Sequence, residues 1–174
     1  MSDIVDQIIH MSGIQRPLVK GSYLFHQGDP VKSLFVVGGG LVELTRCQID
    51  GTSIVLQRAK SHTILSEASV YSEKYHCDAI VKLPSQIIEI PKMRFRERLH
   101  EDQEFSDLWT THLAREMQSA RYRSEILSRR TVAERLDGWL AWKGCDLPEK
   151  GQWKSIAEQI GVSPEALYRE IAKR

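Results

Sequence analysis

Cysteine is scarce in this chain: Cys47, Cys77 and Cys145 are odd in number and far apart. That spacing suits neither a disulfide framework nor a zinc site, and a reducing cytoplasm is the expected compartment. Long apolar runs are missing too. None approaches the ~20 residues needed to span a bilayer, and Met1–Ile9 is too acidic for a signal peptide. No membrane partner is therefore expected. An excess of either charge is also absent, since 24 basic and 23 acidic side chains leave a net charge of +1. Such a chain does not gather polyanions by bulk attraction, so any nucleic-acid affinity has to come from local arrangement, doubled by dimerisation. Catalytic signatures are lacking as well. There is no Ser/His/Asp set, Walker loop or metal-binding histidine helix, and Gly38-Gly39-Gly40 falls between strands rather than opening a helix. An enzyme is not expected, and neither is a metal site.

What is present is 174 residues, 41% of them hydrophobic, enough to bury a good core in one or two domains. Residues 15–90 read as β-rich. Short apolar runs (Tyr23–Phe25, Leu34–Val37, Leu41–Leu44, Ser53–Leu56, Asp78–Val81, Gln86–Ile90) alternate with turn signals at Lys20-Gly21, Gln27–Pro30, Gly38–Gly40, Asp50-Gly51 and Leu83–Ser85. This is the rhythm of a sandwich or barrel, and Asp50-Gly51 is its strongest hairpin signal. Asp3–Met11 reads as a short helix packed on this unit.

The character changes after Pro91, which suits the start of a short helix to Leu99. From Asp102 to about Ser128 there is neither Pro nor Gly, and helix formers dominate. Trp109, Leu113, Met117, Ala120 and Leu127 recur at three- and four-residue steps, with Ser124 filling a gap, giving one narrow apolar face. A helix that long needs a covering surface. A parallel pairing of two copies is preferred over packing on its own β unit. Thr131 and Glu134 have capping-box spacing, so a new helix is expected from Thr131 to about Lys143, ended by Gly144–Pro148.

The last 22 residues read as helix, tight turn, helix. Ile156, Ala157 and Ile160 share one face, Gly161 tolerates positive φ, and Val162 is expected to be a buried plug. Ser163 is the N-cap of a second helix, Pro164 to Lys173, with Pro164 at its first position and Leu167 and Ile171 turned inward. Glu165, Tyr168, Arg169 and Lys173 are left on other faces. A helix-turn-helix presents such a helix to the major groove, although an ordinary αα-hairpin has the same local pattern.

The order of these zones resembles the CRP/FNR superfamily of bacterial transcription regulators over nearly the whole chain. Lys20-Gly21, Leu24-Phe25, Gly28-Asp29, Leu34–Val37, Gly40 with Val42, and Asp50-Gly51 fall in that family's β-roll order. His112–Met117 and Ala133–Leu136 look like its dimerisation helix and hinge. Ile156-Ala157, Gly161, Ser163, Glu165 and Arg169 look like its recognition segment. The resemblance implies an α+β chain in three parts. These are an N-terminal antiparallel, jelly-roll-like β-roll sensor domain with flanking short helices (1–100), a long dimerisation helix and hinge (101–130), and a C-terminal helix-turn-helix domain (131–174). It also implies a homodimer that binds palindromic double-stranded DNA, with RNA polymerase as a further candidate partner. Glu165 and Arg169 would read bases, a carboxylate accepting from cytosine N4 and a guanidinium gripping guanine O6 and N7. Ser163, Lys154, Lys173 and Arg174 would touch phosphates, and Tyr168 shares the interface. The alternative is a ligand-binding or interaction module of the same fold that no longer docks DNA. Relatives continue into a β wing where this chain stops at Arg174, so a trimmed or truncated member is expected.

Cyclic-nucleotide-binding relatives use a Gly-Glu pair for the ribose and an Arg-Ser pair for the phosphate. Here Ser66 and Glu67 occupy the first element, and His76 and Cys77 the second. A neutral histidine is a poor substitute for a guanidinium on phosphate. Cyclic AMP in the usual mode is therefore not expected, and the roll would sense another effector. A His–thiolate pair also suits haem iron, and Cys77 could be a redox thiol. The simpler reading, a loop histidine beside a half-buried cysteine, is preferred. The iron–sulfur branch needs an amino-terminal cysteine cluster that Met1–Arg16 lacks, so no such cluster is expected.

Overall fold

The computed structural model of the protein describes residues 3–11 and 13–174. It separates into two compact units, Met1–His112 and Leu113–Arg174.

The first unit begins with α1 (Ile4–His10), which buries Ile4, Val5 and Ile8. Six strands follow: β1 (Ile14–Leu18), β2 (Tyr23–Phe25), β3 (Ser33–Cys47), β4 (Ser53–Ala59), β5 (Thr63–Leu65) and β6 (Asp78–Pro91). All pairings are antiparallel. The sheet runs β1-β6-β3-β4, with β2 also on β6 and β5 also on β3. Phe25, Phe35, Val37, Val42, Leu44, Leu65, Tyr75, Cys77, Val81 and Ile87 belong to the interior of the roll. The expected hairpin at Asp50-Gly51 is present. Gly51 has φ +81°, and Gln48 N–H donates to Thr52 O at 2.7 Å.

Two expected turns are not turns. Gly38–Gly40 and Leu83–Ser85 lie inside β3 and β6, which stay paired over almost their whole lengths. The pairing shifts register between Val37 and Val42, so these segments bend two long strands together instead of ending them. Gly40 is required there: at φ +95°, a Cβ would sit 2.5 Å from Pro84 O and 2.7 Å from Ser85 Cα. β1 and β5 were not expected as strands. Pro17 lies in β1, at an edge of the sheet, where a missing N–H is tolerated.

α2 (Lys92–Glu101) follows Pro91, and α3 (Gln103–Ser128) follows Asp102. Asp102 caps α3 by accepting from Phe105 N–H at 3.0 Å. In the first unit Phe95, Phe105 and Trp109 form an edge-to-face aromatic cluster, all three buried.

In the second unit α3 leads to α4 (Val132–Lys143), α5 (Trp153–Gln159) and α6 (Pro164–Ile171). The capping box is complete. Thr131 accepts from Glu134 N–H, and the Glu134 carboxylate accepts from Thr131 N–H at 2.9 Å. Gly144, at φ +61°, closes α4. Ile126, Leu136, Trp139, Ile156, Ala157, Ile160 and Leu167 make the core of this unit, with Trp153, Val162 and Ile171 packed against it. Val162 is half-buried rather than fully buried. Among the described residues no helix is long and apolar enough to cross a membrane.

Candidate functional site

α5, the turn at Gly161 and α6 form the expected helix-turn-helix. The turn is tight because Gly161 takes φ +66°, which lets Val162 N–H donate back to Ala157 O at 3.0 Å. Ser163 Oγ accepts from Ala166 N–H at 3.1 Å, and Pro164 occupies the first position of α6. Leu167 is fully buried, which fixes the rotation of the helix. Glu165, Tyr168 and Arg169 are therefore left exposed on α6, and Lys154 is exposed on α5. Tyr168 rests near the Trp153 ring, with centroids 5.7 Å apart. The Glu165 carboxyl is held below its ordinary range by its own backbone N–H, then by the Ser163 hydroxyl and the Arg169 charge. It is thus an ionised acceptor at neutral pH, as pairing with a base amino group requires.

The end of α6 differs from expectation. The helix stops at Ile171, so Lys173 lies beyond it, with Nζ 3.7 Å from Glu170. Arg174 is committed inside its own unit: Nη1 is 2.7 Å from Asp137, and Nη2 donates to Ala133 O.

The expected pairing stripe is only partly exposed. Trp109 packs within its own β unit, 3% exposed and edge-on to Phe95, because the first two turns of α3 have that unit to cover them. Leu113 is half-buried. Met117, Ala120 and Leu127 face solvent.

In the first unit the structure brings the two effector-loop elements together. Ser66 takes the left-handed conformation (φ +66°, ψ 18°), the geometry of a glycine position, and opens the short 3₁₀ turn Glu67–Ser69. Ser69 Oγ lies 3.2 Å from His76 Nδ1, linking this turn to the segment before β6. Partial burial, then the nearby Arg46 charge, lower the His76 pKa, so the ring is neutral at pH 7. Arg46 is itself engaged, with Nη2 donating to His76 O at 3.0 Å. His76 is exposed, but Cys77 is buried in the roll, and burial pushes its thiol pKa up to about 11. This donor set does not fit a cyclic phosphate held by an Arg-Ser pair. Cys77 is 1% exposed in the apolar interior of the roll, so its thiol is not presented beside the exposed His76 as a ligand pair.

Tyr75 carries no motif in the sequence, yet it helps to hold the site. It stacks on Phe25 (centroids 3.8 Å apart, planes at 12°), and its hydroxyl donates to Ser33 O at 2.7 Å. Ser66 Oγ approaches the same carbonyl at 3.4 Å, so both loop elements converge on Ser33. An aromatic residue directly before the expected Arg-Ser position was the only available signal.

A β-roll feeding one long helix and a terminal helix-turn-helix defines the architecture of a two-part regulator. Residues 15–102, half of the chain, match the cyclic nucleotide-binding domain family. The protein belongs to that family and to the CRP/FNR superfamily of transcription regulators. It is similar to the anaerobic regulatory protein of Bacillus subtilis strain 168, with 26% identity over 65% of this chain and 50% of that one. It is also similar to the transcriptional activator protein Anr of Pseudomonas aeruginosa, with 25% identity over 79% of this chain and 55% of that one. The chain thus spans about half the length of these curated relatives. Among solved structures, FixK2 from Bradyrhizobium japonicum shares the fold, with a TM-score of 0.73 at 15% identity over 94% of this chain and 84% of that one.

Proposed function

We propose that the protein is a dimeric, sequence-specific DNA-binding regulator that inserts α6 into the major groove. The observation that carries this reading is the division of α6. Leu167 anchors it in the core, while Glu165 in its first turn and Arg169 one turn further on, in its last, both stand exposed. In this reading Glu165 and Arg169 contact bases, Ser163 and Lys154 contact phosphates, and Tyr168 packs at the rim. Two copies paired along Met117 and Ala120 would place two reading helices about one helical turn of DNA, ~34 Å, apart. RNA polymerase remains a candidate partner in this reading, and the β-roll would respond to an effector other than cyclic AMP bound in the usual mode. His76 and Cys77 do not supply a phosphate clamp, which supports that part.

The test is quantitative binding to a duplex selected by the wild-type protein from a random pool. Arg169→Ala should weaken binding by about 1–3 kcal/mol and relax preference at one base pair per half-site. An equal loss on every sequence would make Arg169 a phosphate contact. No salt-dependent binding to any duplex by the wild type would favour the interaction-module reading.

A further inference from the structure

Arg135 of α4 is half-buried, and its guanidinium donates to three backbone carbonyls. Nε reaches Arg129 O at 2.9 Å, just past the end of α3. Nη1 reaches Ile160 O at 3.2 Å and Gly161 O at 3.0 Å, the two residues that begin the turn between α5 and α6. Carbonyls at helix ends have no partner within the helix and carry partial negative charge. A planar cation with several fixed donors matches a cluster of them. A packing contact reinforces the same joint, since a Cβ on Gly161 would sit 2.7 Å from Leu127 Cδ2. The turn therefore lies directly against the last turn of α3, and only Val162 separates Gly161 from Ser163, the cap of α6.

We propose that Arg135 is a positioning residue for DNA reading: it fastens the turn of the helix-turn-helix to the end of α3 and so sets the angle at which α6 presents Glu165 and Arg169. This rests on the proposed function above, but it concerns a residue that itself touches no DNA. A lysine keeps the charge yet is a point donor that cannot span three carbonyls, so Arg135→Lys separates positioning from charge.

Full-length wild type, Arg135→Lys and Arg135→Gln are compared in two ways. The first is amide hydrogen exchange of the protein alone. The Gly161 and Val162 amides, bonded to Glu158 O and Ala157 O, should exchange about tenfold faster in both variants, the scale of a lost charge-assisted hydrogen bond. The interior amides of α4 should keep their protection, which shows that the unit still folds. The second is the ratio of affinities for a duplex selected by the wild type and a scrambled duplex of equal length. It should fall about tenfold in both variants with the salt dependence unchanged. Wild-type exchange and a wild-type ratio in Arg135→Lys would overturn the proposal. A reduced salt dependence restored by lysine would also overturn it, by making Arg135 a phosphate contact. If the wild type discriminates between no duplexes, the functional reading falls, and the exchange measurement alone decides whether Arg135 holds the turn.

Discussion

Cys77 shows how one side chain's surroundings decide its chemistry. Its thiol lies in the apolar interior of the roll, 1% exposed, with a pKa pushed up to about 11 chiefly by burial, which Arg46 only partly offsets. A protonated thiol is a poor nucleophile. Native protein at pH 8 should therefore present two fast thiols to a maleimide, Cys47 and Cys145, which are both exposed. The third should react only on unfolding. Because the folded pKa lies above the ordinary value of 9.0, this thiol's share of stability is complete below about pH 9 and is lost as pH rises towards 11. Three fast thiols in the native state would contradict this. Tyr75 carries the complementary lesson. Its role depends on Ser33, 42 positions earlier, and on Phe25, and no local pattern announces partners so distant.

Elements whose limits are set locally were legible in the sequence. Thr131 with Glu134, Ser163 with Pro164, and Gly161 each act within four residues, and the structure has them as the spacing implied. The capping box is directly testable. Thr131→Ala should cost about 1 kcal/mol in urea unfolding, while Thr131→Ser should cost little. Glu134 is held below its ordinary range mainly by the Thr131 backbone N–H, so the box is fully formed near neutrality and weakens as acid protonates that carboxyl. An alanine variant as stable as wild type would remove the cap from the account. The strands were less legible. Gly38–Gly40 carries the composition of a turn, yet β3 runs through it, because pairing with β6 is settled by residues some forty positions away. Likewise, α3 was readable as a helix, but not which part of its stripe would be covered. Trp109 is claimed by Phe95, a residue of α2 outside the periodicity that defines the stripe.

At the scale of the whole molecule, the proposed function depends on pairing of two copies along the exposed face of α3. Met117, 56% exposed, is the most exposed of the large apolar side chains of α3. A lone exposed methionine needs no explanation. One in line with Ala120 and the half-buried Leu113 suits pairing with a second copy. If two copies read one site together, sedimentation equilibrium with a two-fold-symmetric duplex selected by the wild type shows it directly. Wild type should form a dimer and load two protomers on each duplex, whereas Met117→Glu should sediment as a folded monomer and lose that occupancy. A wild-type monomer that loads one protomer per duplex, or a Met117→Glu variant indistinguishable from wild type, would contradict it.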